Sequence, residues 1–364
     1  MFDSISVQTS VSDEYSIKIG KGLLDDLSDF VTTEFGTRKV FLIVDQNVHN
    51  HHISRIDEVF SNKFERVLKY IVPPGERSKS LNQFSRIVDF ILKEGVERGT
   101  PIVAFGGGVV GDLAGFVASS VLRGIPLVHV PTTLLAMVDS SIGGKTGVNH
   151  ETGKNLIGAF YQPKAVFMDV EFLSTLPKEQ WVNGLSEILK YAMIEKPELL
   201  TELKQLTQDG EFASPEEWLG VISQSANIKV DVVQLDVKEG GVRAFLNFGH
   251  TYAHVIERMG NYEAYSHGEA VFAGMFGAID ASNKLGASIN PELLETFLPL
   301  YRFNLSEIKE GPEELTGWML NDKKVKDGSI RLVLLQETGK PEVKKVEDHS
   351  LIQDSWRYLL SKFS

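Results

Sequence analysis

The stretch IVAFGGGVVGDLAGF, residues 102–116, decides the fold of this chain. It joins a short β-prone apolar run to a glycine-rich turn and then to a segment of helical character that begins near Val110. Gly106, Gly108 and Gly111 stand at G-x-G-x-x-G spacing. Such glycines let a backbone approach a pyrophosphate, whose charge then rests on the free N–H groups of the helix. The order of strand, glycine turn and helix predicts a nucleotide-binding α/β domain.

The glycine motif has a second interpretation. It does not follow the first strand, and no Asp or Glu stands about 20 residues downstream, where the standard fingerprint has a ribose-binding acid. A strand-end acid of that kind, Asp45, comes earlier in the chain. The glycines could instead serve close packing of helix on sheet, and the sequence leaves both interpretations open. The Pro/Gly turn PPGERSKS at 73–80 is another candidate binding loop.

Short apolar runs alternate with longer polar or amphipathic stretches from residue 39 to about residue 170. Continuous apolar runs are typical of strands buried on both faces of a parallel sheet, and the intervals leave room for crossover helices, as at 81–94. We expect a doubly wound α/β domain whose strands are KVFLIVD (39–45), RVLKYIV (66–72), IVAF (102–105), LVHV (127–130) and AVFMD (165–169).

The pattern changes at Pro177. Helical spacing dominates residues 180–260 and 266–286, and a late strand, IRLVLLQ, is predicted at 330–336. We therefore expect an α/β domain over residues 1–176 and a mostly α-helical domain over residues 177–364.

Composition limits the chemistry. The 364 residues include 37 Lys+Arg, 49 Asp+Glu and no cysteine, for a net charge of −12. Without cysteine, a metal must be held by nitrogen and oxygen ligands. The negative charge and the lack of a long basic block argue against a nucleic-acid partner. No window approaches the eighteen or so apolar residues of a membrane helix, and the N-terminus lacks a signal-peptide pattern. We expect a cytoplasmic protein with no membrane partner.

Three histidines and a glutamate are candidate metal ligands. His250 and His254 lie at i and i+4 on a predicted helix, and His267 begins another. Glu187 interrupts the apolar helix face GLSEILKYAMI, where a lone buried carboxylate is costly. One Glu and two His with an open position are typical of a catalytic zinc or similar ion. Spacing favours His250 with His254, whereas His250 with His267 would leave His254 for another task.

Charged and amide side chains are dense in the stretch 131–166, which is too irregular for one long helix and so predicts a loop-built site. Lysines there could neutralise phosphate, and Asp139 could accept a proton or bind a hydroxyl. The candidates in this stretch are Asp139, Lys145, Lys154 and Asn155, and those further along are Lys190, Lys229, Glu239, Arg243 and Asn247.

Together these motifs resemble the 3-dehydroquinate synthase family over roughly residues 38–336. The resemblance is carried by GGGVVGDLAGF, RGIPLVHVPTTLLAMVDSSIGGKTGVN, GKNLIGAFYQPKAV, RAFLNFGHTYAHVIE, HGEAV and DKKVKDGSIRLVLL, in this order. It implies a Rossmann-like N-terminal domain, a mostly helical C-terminal domain, bound NAD, a divalent metal (Zn²⁺ or Co²⁺) and a homodimer. The implied reaction converts 3-deoxy-D-arabino-heptulosonate 7-phosphate to 3-dehydroquinate and phosphate, in the second step of the shikimate pathway. Its implied stages are transient oxidation by NAD, β-elimination, reduction, ring opening and intramolecular aldol closure.

The resemblance also implies roles for individual residues. The metal ligands would be Glu187, His250 and His267, with His254 near the substrate phosphate. Catalytic groups would be Asp139, Lys145, Lys190, Glu239 and His254. The substrate would contact Arg123 from the partner subunit, Lys145, Asn155, Lys229, Arg243, Asn247, His254 and Lys324. NAD would contact Asp45, Gly75, Glu76, Lys79, Gly108, Val109, Val110, Gly111, Asp112, Thr132, Thr133, Lys145, Lys154, Phe172, Leu173, Ser174 and Thr175.

Three alternatives stay open at this point. Sibling cyclases that use sedoheptulose 7-phosphate share most of these motifs, and Lys229 with Arg243 would discriminate because a carboxylate needs a cationic clamp. A dehydrogenase of the glycerol-dehydrogenase type would share the architecture and accumulate NADH. A non-catalytic NAD-binding regulator is the third alternative.

Overall fold

The computed structural model describes residues 14–237, 241–320 and 329–364. Its N-terminal part is built on a six-stranded parallel sheet of order β1-β8-β5-β4-β2-β3, with a separate antiparallel hairpin of β6 and β7. The strands are β1 (Ser16–Gly20), β2 (Val40–Asp45), β3 (Val67–Val72), β4 (Ile102–Gly106), β5 (Leu127–Pro131), β6 (Lys145–His150), β7 (Gly153–Phe160) and β8 (Ala165–Asp169). The five predicted strands are confirmed, and β1 was not predicted.

Helices cover both faces of this sheet. They are α1 (Leu24–Phe35), α2 (Gln46–Ser61), α3 (Leu81–Lys93) and α4 (Gly108–Ser120). Successive side chains of a strand point to opposite faces, so β2 sends Val40, Leu42 and Val44 into the core beneath α1 and α2. Phe41 and Ile43 enter the core beneath α3 and α4. Burial on both faces explains why the strands are continuous apolar runs.

The strand order reverses between β2 and β4. From β2 the chain runs through α2 to β3 on one side, and from β4 it runs through α4 to β5 on the other. In open α/β sheets a ligand crevice forms at such a switch point, outside the carboxyl ends of the strands. Asp45 ends β2 and the glycine turn follows β4, so the topology places both at this crevice.

The β6–β7 hairpin occupies much of the stretch for which we expected loops. It lies against α4, where a Cβ on Gly115 would come within 2.3 Å of Thr146 Cγ2. Within the hairpin, a Cβ on Gly158 would approach the Thr146 carbonyl to 2.0 Å. Gly115 of α4 and Gly158 of β7 thus allow close contact between the hairpin and its neighbours, and glycines within the hairpin made this stretch look irregular in the sequence.

The C-terminal part is mainly helical, as predicted. Its elements are α5 (Lys178–Ile194), α6 (Leu199–Leu206), α7 (Leu219–Leu235), α8 (His250–Met259), α9 (His267–Lys284), α10 (Glu292–Glu295), α11 (Pro312–Leu320), β9 (Ile330–Glu337), β10 (Lys340–Val346) and α12 (His349–Lys362). The buried helix α9 packs against α5, α8, α12 and β9. The strand β9 is confirmed, and it pairs with β10, which was not predicted. None of the helices in the described ranges is long and apolar enough to cross a membrane.

Candidate active site

Three side chains from three helices meet at the centre of the helical part. Glu187 lies in the middle of α5, His250 is the first residue of α8, and His267 is the first residue of α9. The Nε2 atoms of His250 and His267 each lie 3.4 Å from Glu187 Oε1. One ligand atom from each residue lies within 4.8 Å of the others, which is a suitable cluster for a divalent ion.

The triad fits a metal because the hydrogen bonds around it leave ligand atoms of Glu187 and His250 available. Lys190, one helical turn along α5, donates to Oε2 of Glu187, while the buried Oε1 accepts no well-formed hydrogen bond from the described residues. His250 has its Nδ1 3.2 Å from the Phe248 carbonyl, which fixes the proton there and turns the Nε2 lone pair toward Glu187. A buried carboxylate oxygen without a well-formed hydrogen bond, close to two imidazole Nε2 atoms, matches the needs of a Glu/His-bound cation.

Charge within the triad is set by burial and by close neighbours. Burial favours a neutral Glu187, but the Lys190 ammonium outweighs it and holds the pKa of the carboxyl well below its usual range. Burial lowers the pKa of His250 to about 4 despite the adjacent Glu187. Burial also favours neutral His267, but the carboxylates of Glu187 and Glu257 raise its pKa to about 10. The triad therefore contains an ionised carboxylate and a neutral His250.

A second cluster centres on Asp139, next to the triad. Asp139 lies in a π-helical turn, Ala136–Ser140, of the type often found at functional sites. Its Oδ1 accepts from Lys229 Nζ and from the Tyr191 hydroxyl, both at 2.6 Å. Burial opposes ionisation of Asp139, but Lys229 and Lys190 lower its pKa to about 2. Asp139 is therefore a stable acceptor for a hydroxyl or water.

Arg243 is fully buried beside this second cluster. Its Nη1 donates to the Val237 carbonyl at 2.7 Å, and its Nη2 lies where a Cβ on Gly143 would meet it at 2.8 Å. Its positive charge also opposes the rise in the pKa of Tyr191. Lys229, Lys190 and Arg243 thus give an acidic protein a local concentration of positive charge.

The glycine turn combines the two interpretations left open by the sequence. A Cβ on Gly106 would come within 2.6 Å of Val110, so this glycine serves packing of α4 on the sheet. Gly108 begins α4, whose first N–H groups face the crevice at the switch point. Gly111 has ordinary space around it, since a Cβ there would lie 3.7 Å from the nearest atoms of His129. Val110 is buried and can offer only its backbone.

Three residues predicted to bind the dinucleotide, Glu76, Lys79 and Asp112, form one network with Asn155, predicted to bind the substrate, and with Asn149, which was not predicted. Buried Lys79 donates to Asp112 and to Asn155 Oδ1. The Asn149 amide donates to Glu76 Oε1 at 2.7 Å, and its own oxygen accepts from Asn155 N at 2.9 Å. The network connects the 75–79 turn, the N-terminus of α4 and the hairpin. Asn155 has a positive φ of 55°, which costs energy for a residue with a side chain.

The other predicted cofactor residues border the same crevice. Asp45 caps α2 by accepting from Asn47 N at 2.8 Å. Thr132 and Thr133 follow β5, and Thr133 lies against Gly107 of the glycine turn. In the 3₁₀ turn Val170–Thr175, Phe172 and Leu173 are buried, whereas Ser174 and Thr175 are exposed. Thr175 Oγ1 is 2.7 Å from His52 Nε2.

The remaining predicted substrate residues lie at different distances from the triad. His254 is an exposed residue of α8 whose ring centroid is 5.9 Å from that of His250. Lys145 is the first residue of β6 and is exposed. Its positive charge acts to lower the pKa of both Asp112 and Lys229. Asn247 donates to the Ala244 carbonyl at 3.3 Å. Arg123 is exposed on a turn after α4, and Glu239 and Lys324 lie outside the described residues.

Sequence reasoning missed two residues of this region. Tyr191 donates to Asp139, and Glu257 is a buried carboxylate near His267 and Lys154. The signal for Glu257 was available, because positions 250, 254 and 257 share one helix face. Tyr191 gave no signal, since an aromatic residue on an apolar helix is normally a core residue.

An open parallel sheet with a glycine turn at its switch point, joined to a helical part that carries a Glu–His–His cluster, defines a dinucleotide-binding type of fold with a candidate metal centre. Comparison with known proteins agrees with this class. The family model described as 3-dehydroquinate synthase N-terminal matches residues 69–183, and the model described as 3-dehydroquinate synthase C-terminal matches residues 184–325. The chain belongs to the 3-dehydroquinate synthase family.

Individual relatives support this membership. The 3-dehydroquinate synthase of Salinibacter ruber is 38% identical over 367 residues, which cover 99% of this chain and 94% of that protein. The 3-dehydroquinate synthase of Nostoc punctiforme is 42% identical over 336 residues, covering 89% and 91% of the two chains.

Solved structures of related cyclases share the whole architecture. A 2-deoxy-scyllo-inosose synthase complexed with carbaglucose-6-phosphate, NAD+ and Co2+ is 26% identical, with a TM-score of 0.82 over 94% of this chain and 96% of that one. The 2-epi-5-epi-valiolone synthase of Streptomyces hygroscopicus subsp. jinggangensis, with NAD+ and Zn2+ bound, is 25% identical, with a TM-score of 0.83 over 99% of both chains. Glycerol dehydrogenase of Schizosaccharomyces pombe, at 17% identity, has a TM-score of 0.62 over 98% of this chain and 91% of that one, and shares the fold.

Proposed function

We propose that this chain is a 3-dehydroquinate synthase that converts 3-deoxy-D-arabino-heptulosonate 7-phosphate to 3-dehydroquinate and phosphate. The carrying observation is the convergence of Glu187, His250 and His267 beside the Asp139–Lys229 pair. Curated relatives named 3-dehydroquinate synthase cover nearly the whole chain, which supports the same reaction here. The reaction takes place in the shikimate pathway.

Two cofactors belong to this proposal. A divalent ion such as Zn²⁺ or Co²⁺, held by Glu187, His250 and His267, would supply Lewis-acid chemistry toward the substrate hydroxyls. NAD, at the switch-point crevice, would supply reversible hydride chemistry, so that a complete turnover is redox-neutral. Related cyclases solved with NAD+ and Co2+ or Zn2+ support this pairing. The proposed domain division, 1–176 and 177–364, assigns all of the proposed NAD contacts to the first part and the metal ligands to the second.

The chain's own residues supply orientation and charge. Lys190 holds one oxygen of Glu187 and leaves the other for the metal. Asp139 stays ionised beside Lys229 and would accept a hydrogen bond from a substrate hydroxyl or water. Tyr191 keeps its proton, because burial and Asp139 raise its pKa well above the usual range, and it fixes the Asp139 carboxylate. Glu239, an acidic residue that the family resemblance implies, is also proposed to be catalytic.

Phosphate loss requires cations and donors around the leaving group. We assign this role to Lys145, Asn155, Asn247, His254 and the partner subunit's Arg123, with Lys324 as a further ligand. In the proposed β-elimination, the C6–H bond breaks, its electron pair forms the new double bond, and the C–O bond to phosphate breaks. The departing phosphate itself can take the proton, so the protein need only orient it and exclude water.

A homodimer is part of the proposal. Leu122 and Arg123 form a turn with positive φ values of 49° and 65°, a strained backbone that keeps both side chains exposed. Phe160 on β7 is also exposed, and the adjacent Tyr161 contacts this turn through Gly124 and the Ile125 carbonyl. Exposed apolar side chains at Leu122 and Phe160, together with an exposed arginine, suit an interface that inserts that arginine into a neighbouring site. We also propose that the protein is cytoplasmic and has no nucleic-acid partner.

The direct test is phosphate release from 3-deoxy-D-arabino-heptulosonate 7-phosphate with catalytic NAD and added Co²⁺ or Zn²⁺. We expect stoichiometric phosphate and 3-dehydroquinate with no lasting absorbance of NADH. Sedoheptulose 7-phosphate should react poorly, because Lys229 and Arg243 provide cations that match a carboxylate. Folded, metal-loaded protein that releases no phosphate would refute the proposal. NADH accumulating with glycerol would instead indicate a dehydrogenase.

A further inference from the structure

Glu257 is a buried charge that the proposed mechanism does not use. It lies on α8 two helical turns beyond His250, and only 4% of its surface is exposed. A carboxylate at this depth is costly unless it is paired. The groups that pair with Glu257 therefore indicate its role.

One oxygen of Glu257 contacts two functional groups. Oε1 lies 3.5 Å from His267 Nδ1 and 3.0 Å from Lys154 Nζ. The opposite ring nitrogen of His267, Nε2, faces Glu187 Oε1 at 3.4 Å. The His267 ring is thus held between two carboxylates, one at the candidate metal position and one behind it.

This arrangement selects a tautomer. A carboxylate at Nδ1 retains the proton on that nitrogen, so Nε2 is the nitrogen that would give up its proton and bind a metal. It also fixes the rotation of the ring, which matters here because His267 is the first residue of α9 and no helical turn precedes it. His250 is oriented by a backbone carbonyl, so the two histidines have different supports.

Glu257 also connects the metal position to the β6–β7 hairpin. Lys154 is the second residue of β7, and its Nζ lies 4.7 Å from the centroid of the Tyr262 ring as well as next to Glu257. Tyr262 and Asn261 have positive φ values of 58° and 50°, so the turn between α8 and α9 holds this contact at a cost in backbone energy. The hairpin residue and the metal ligand therefore share one acceptor oxygen.

We propose that Glu257 is a positioning residue that orients His267 for metal binding and ties it to Lys154. This inference rests on the proposed metal site and goes beyond it, since Glu257 is not itself a ligand. Replacement of a comparable supporting carboxylate typically weakens metal affinity by about 10–100-fold.

The test is a Co²⁺ titration of the metal-free full-length protein, followed by visible absorption. Glu257→Gln should bind Co²⁺ about 10–100-fold more weakly and shift the ligand-field bands. Glu257→Asp, which keeps the charge, should recover part of both effects. Glu263→Gln is the matched control, because Glu263 is an exposed carboxylate on the turn between α8 and α9 and pairs with Arg77. Its affinity should stay within about twofold of the unmodified protein.

A double-mutant cycle separates positioning from general structure. If Glu257 acts through His267, then Glu257→Gln in a His267→Ala background should change Co²⁺ affinity by no more than about twofold. An equal loss in both backgrounds, or unchanged affinity and bands in Glu257→Gln, would overturn the proposal and leave the proposed function intact. Unmodified protein that binds no Co²⁺ would overturn both. The thermal unfolding of each metal-free variant verifies that it is folded.

Discussion

At the scale of single residues, Asp139 illustrates how a buried charge pair sets both stability and chemistry. Asp139→Asn removes the partner of Lys229, whose side chain is 8% exposed, and leaves a cation in a poorly solvated position. We expect unfolding free energy at pH 7 to fall by about 2 kcal/mol, less than for a fully buried pair because Asp139 keeps some solvent contact. Urea unfolding measures this, and phosphate release should be lost.

The pH dependence of the same variant follows from linkage. The folded-state pKa of Asp139, about 2, lies below its unfolded value, so its stabilisation is present above about pH 4 and is lost as pH falls toward 2. The difference between Asp139→Asn and the unmodified protein should therefore shrink below pH 4. Asp231→Asn on the exposed side of α7 is the control and should change stability by less than about 0.5 kcal/mol. A constant difference down to pH 2 would contradict the pairing.

His129 also makes stability fall as pH falls, but in a higher pH window and for a different reason, because its neutral form is the one that burial favours. It is a buried residue of β5, and burial lowers its pKa to about 4. The unfolded chain takes up a proton near pH 6.5 and the folded chain near pH 4, so stability is lost as pH falls through this window, by at most about 3 kcal/mol. His129→Gln should flatten the profile between pH 6.5 and 4 in urea titrations. An unchanged slope would show that other groups cause it.

The residues of the candidate site were only partly predictable from sequence. His250 and His254 have ligand spacing, yet the ring of His250 lies closer to His267, at 5.4 Å, than to His254, at 5.9 Å. The short distance between His250 and His267 depends on how the N-terminus of α9 packs against α8 and α5. Local residue spacing cannot predict such a long-range contact. Family resemblance selected His267, and the cluster geometry is consistent with it. Ligation itself stays a prediction until metal binding is measured.

At the scale of elements, the contact between α4 and β6 shows how packing positions the site. A methyl group on Gly115 would collide with Thr146, one residue after Lys145. We expect Gly115→Ala to cost about 1–3 kcal/mol, because the hairpin must move away from the helix. It should also raise the KM for the phosphate substrate by displacing Lys145. Urea unfolding and steady-state kinetics measure the two effects.

The matched control is another helical glycine with open space around it. Apart from the backbone of the surrounding helix and the two neighbouring residues, no heavy atom of the described residues lies within 4 Å of a Cβ added at Gly317 in α11. Gly317→Ala should therefore stabilise the protein by about 0.5–1 kcal/mol through the entropy of the unfolded chain. If both alanine variants behaved alike, the α4–β6 contact would not be the cause.

Elements were predictable where a single physical signal dominated. Strands β2, β4, β5 and β8 are buried on both faces and form apolar runs, and the edge strand β3 is apolar except at Lys69, so these five could be predicted from the sequence pattern. The hairpin strands β6 and β7 have burial that varies from residue to residue and contain glycines needed for close backbone contact, so they lack both strand signals. Strand β1 lies at a sheet edge with only partial burial, which weakens its pattern in the same way.

At the scale of the whole molecule, the proposed dimer makes the active site composite. Arg123 is exposed on its strained turn, and we propose that it completes the phosphate site of the partner subunit. Arg123→Ala and Glu187→Gln homodimers should each be nearly inactive. In a mixed dimer, however, the Arg123→Ala subunit keeps its own Glu187 and receives an intact arginine from its Glu187→Gln partner. One of the two sites is then complete.

Mixing the two inactive variants therefore tests the dimer and the role of Arg123 together. After subunit exchange, half of the dimers are mixed and each has one complete site, so phosphate release should recover to about a quarter of the unmodified rate. Phe160→Glu, which replaces an exposed aromatic residue by a charge, should prevent dimerisation, as size-exclusion chromatography would show, and should also prevent recovery of phosphate release. If Arg123 acted within its own subunit, mixing would give no recovery, because every site would lack either its arginine or its glutamate.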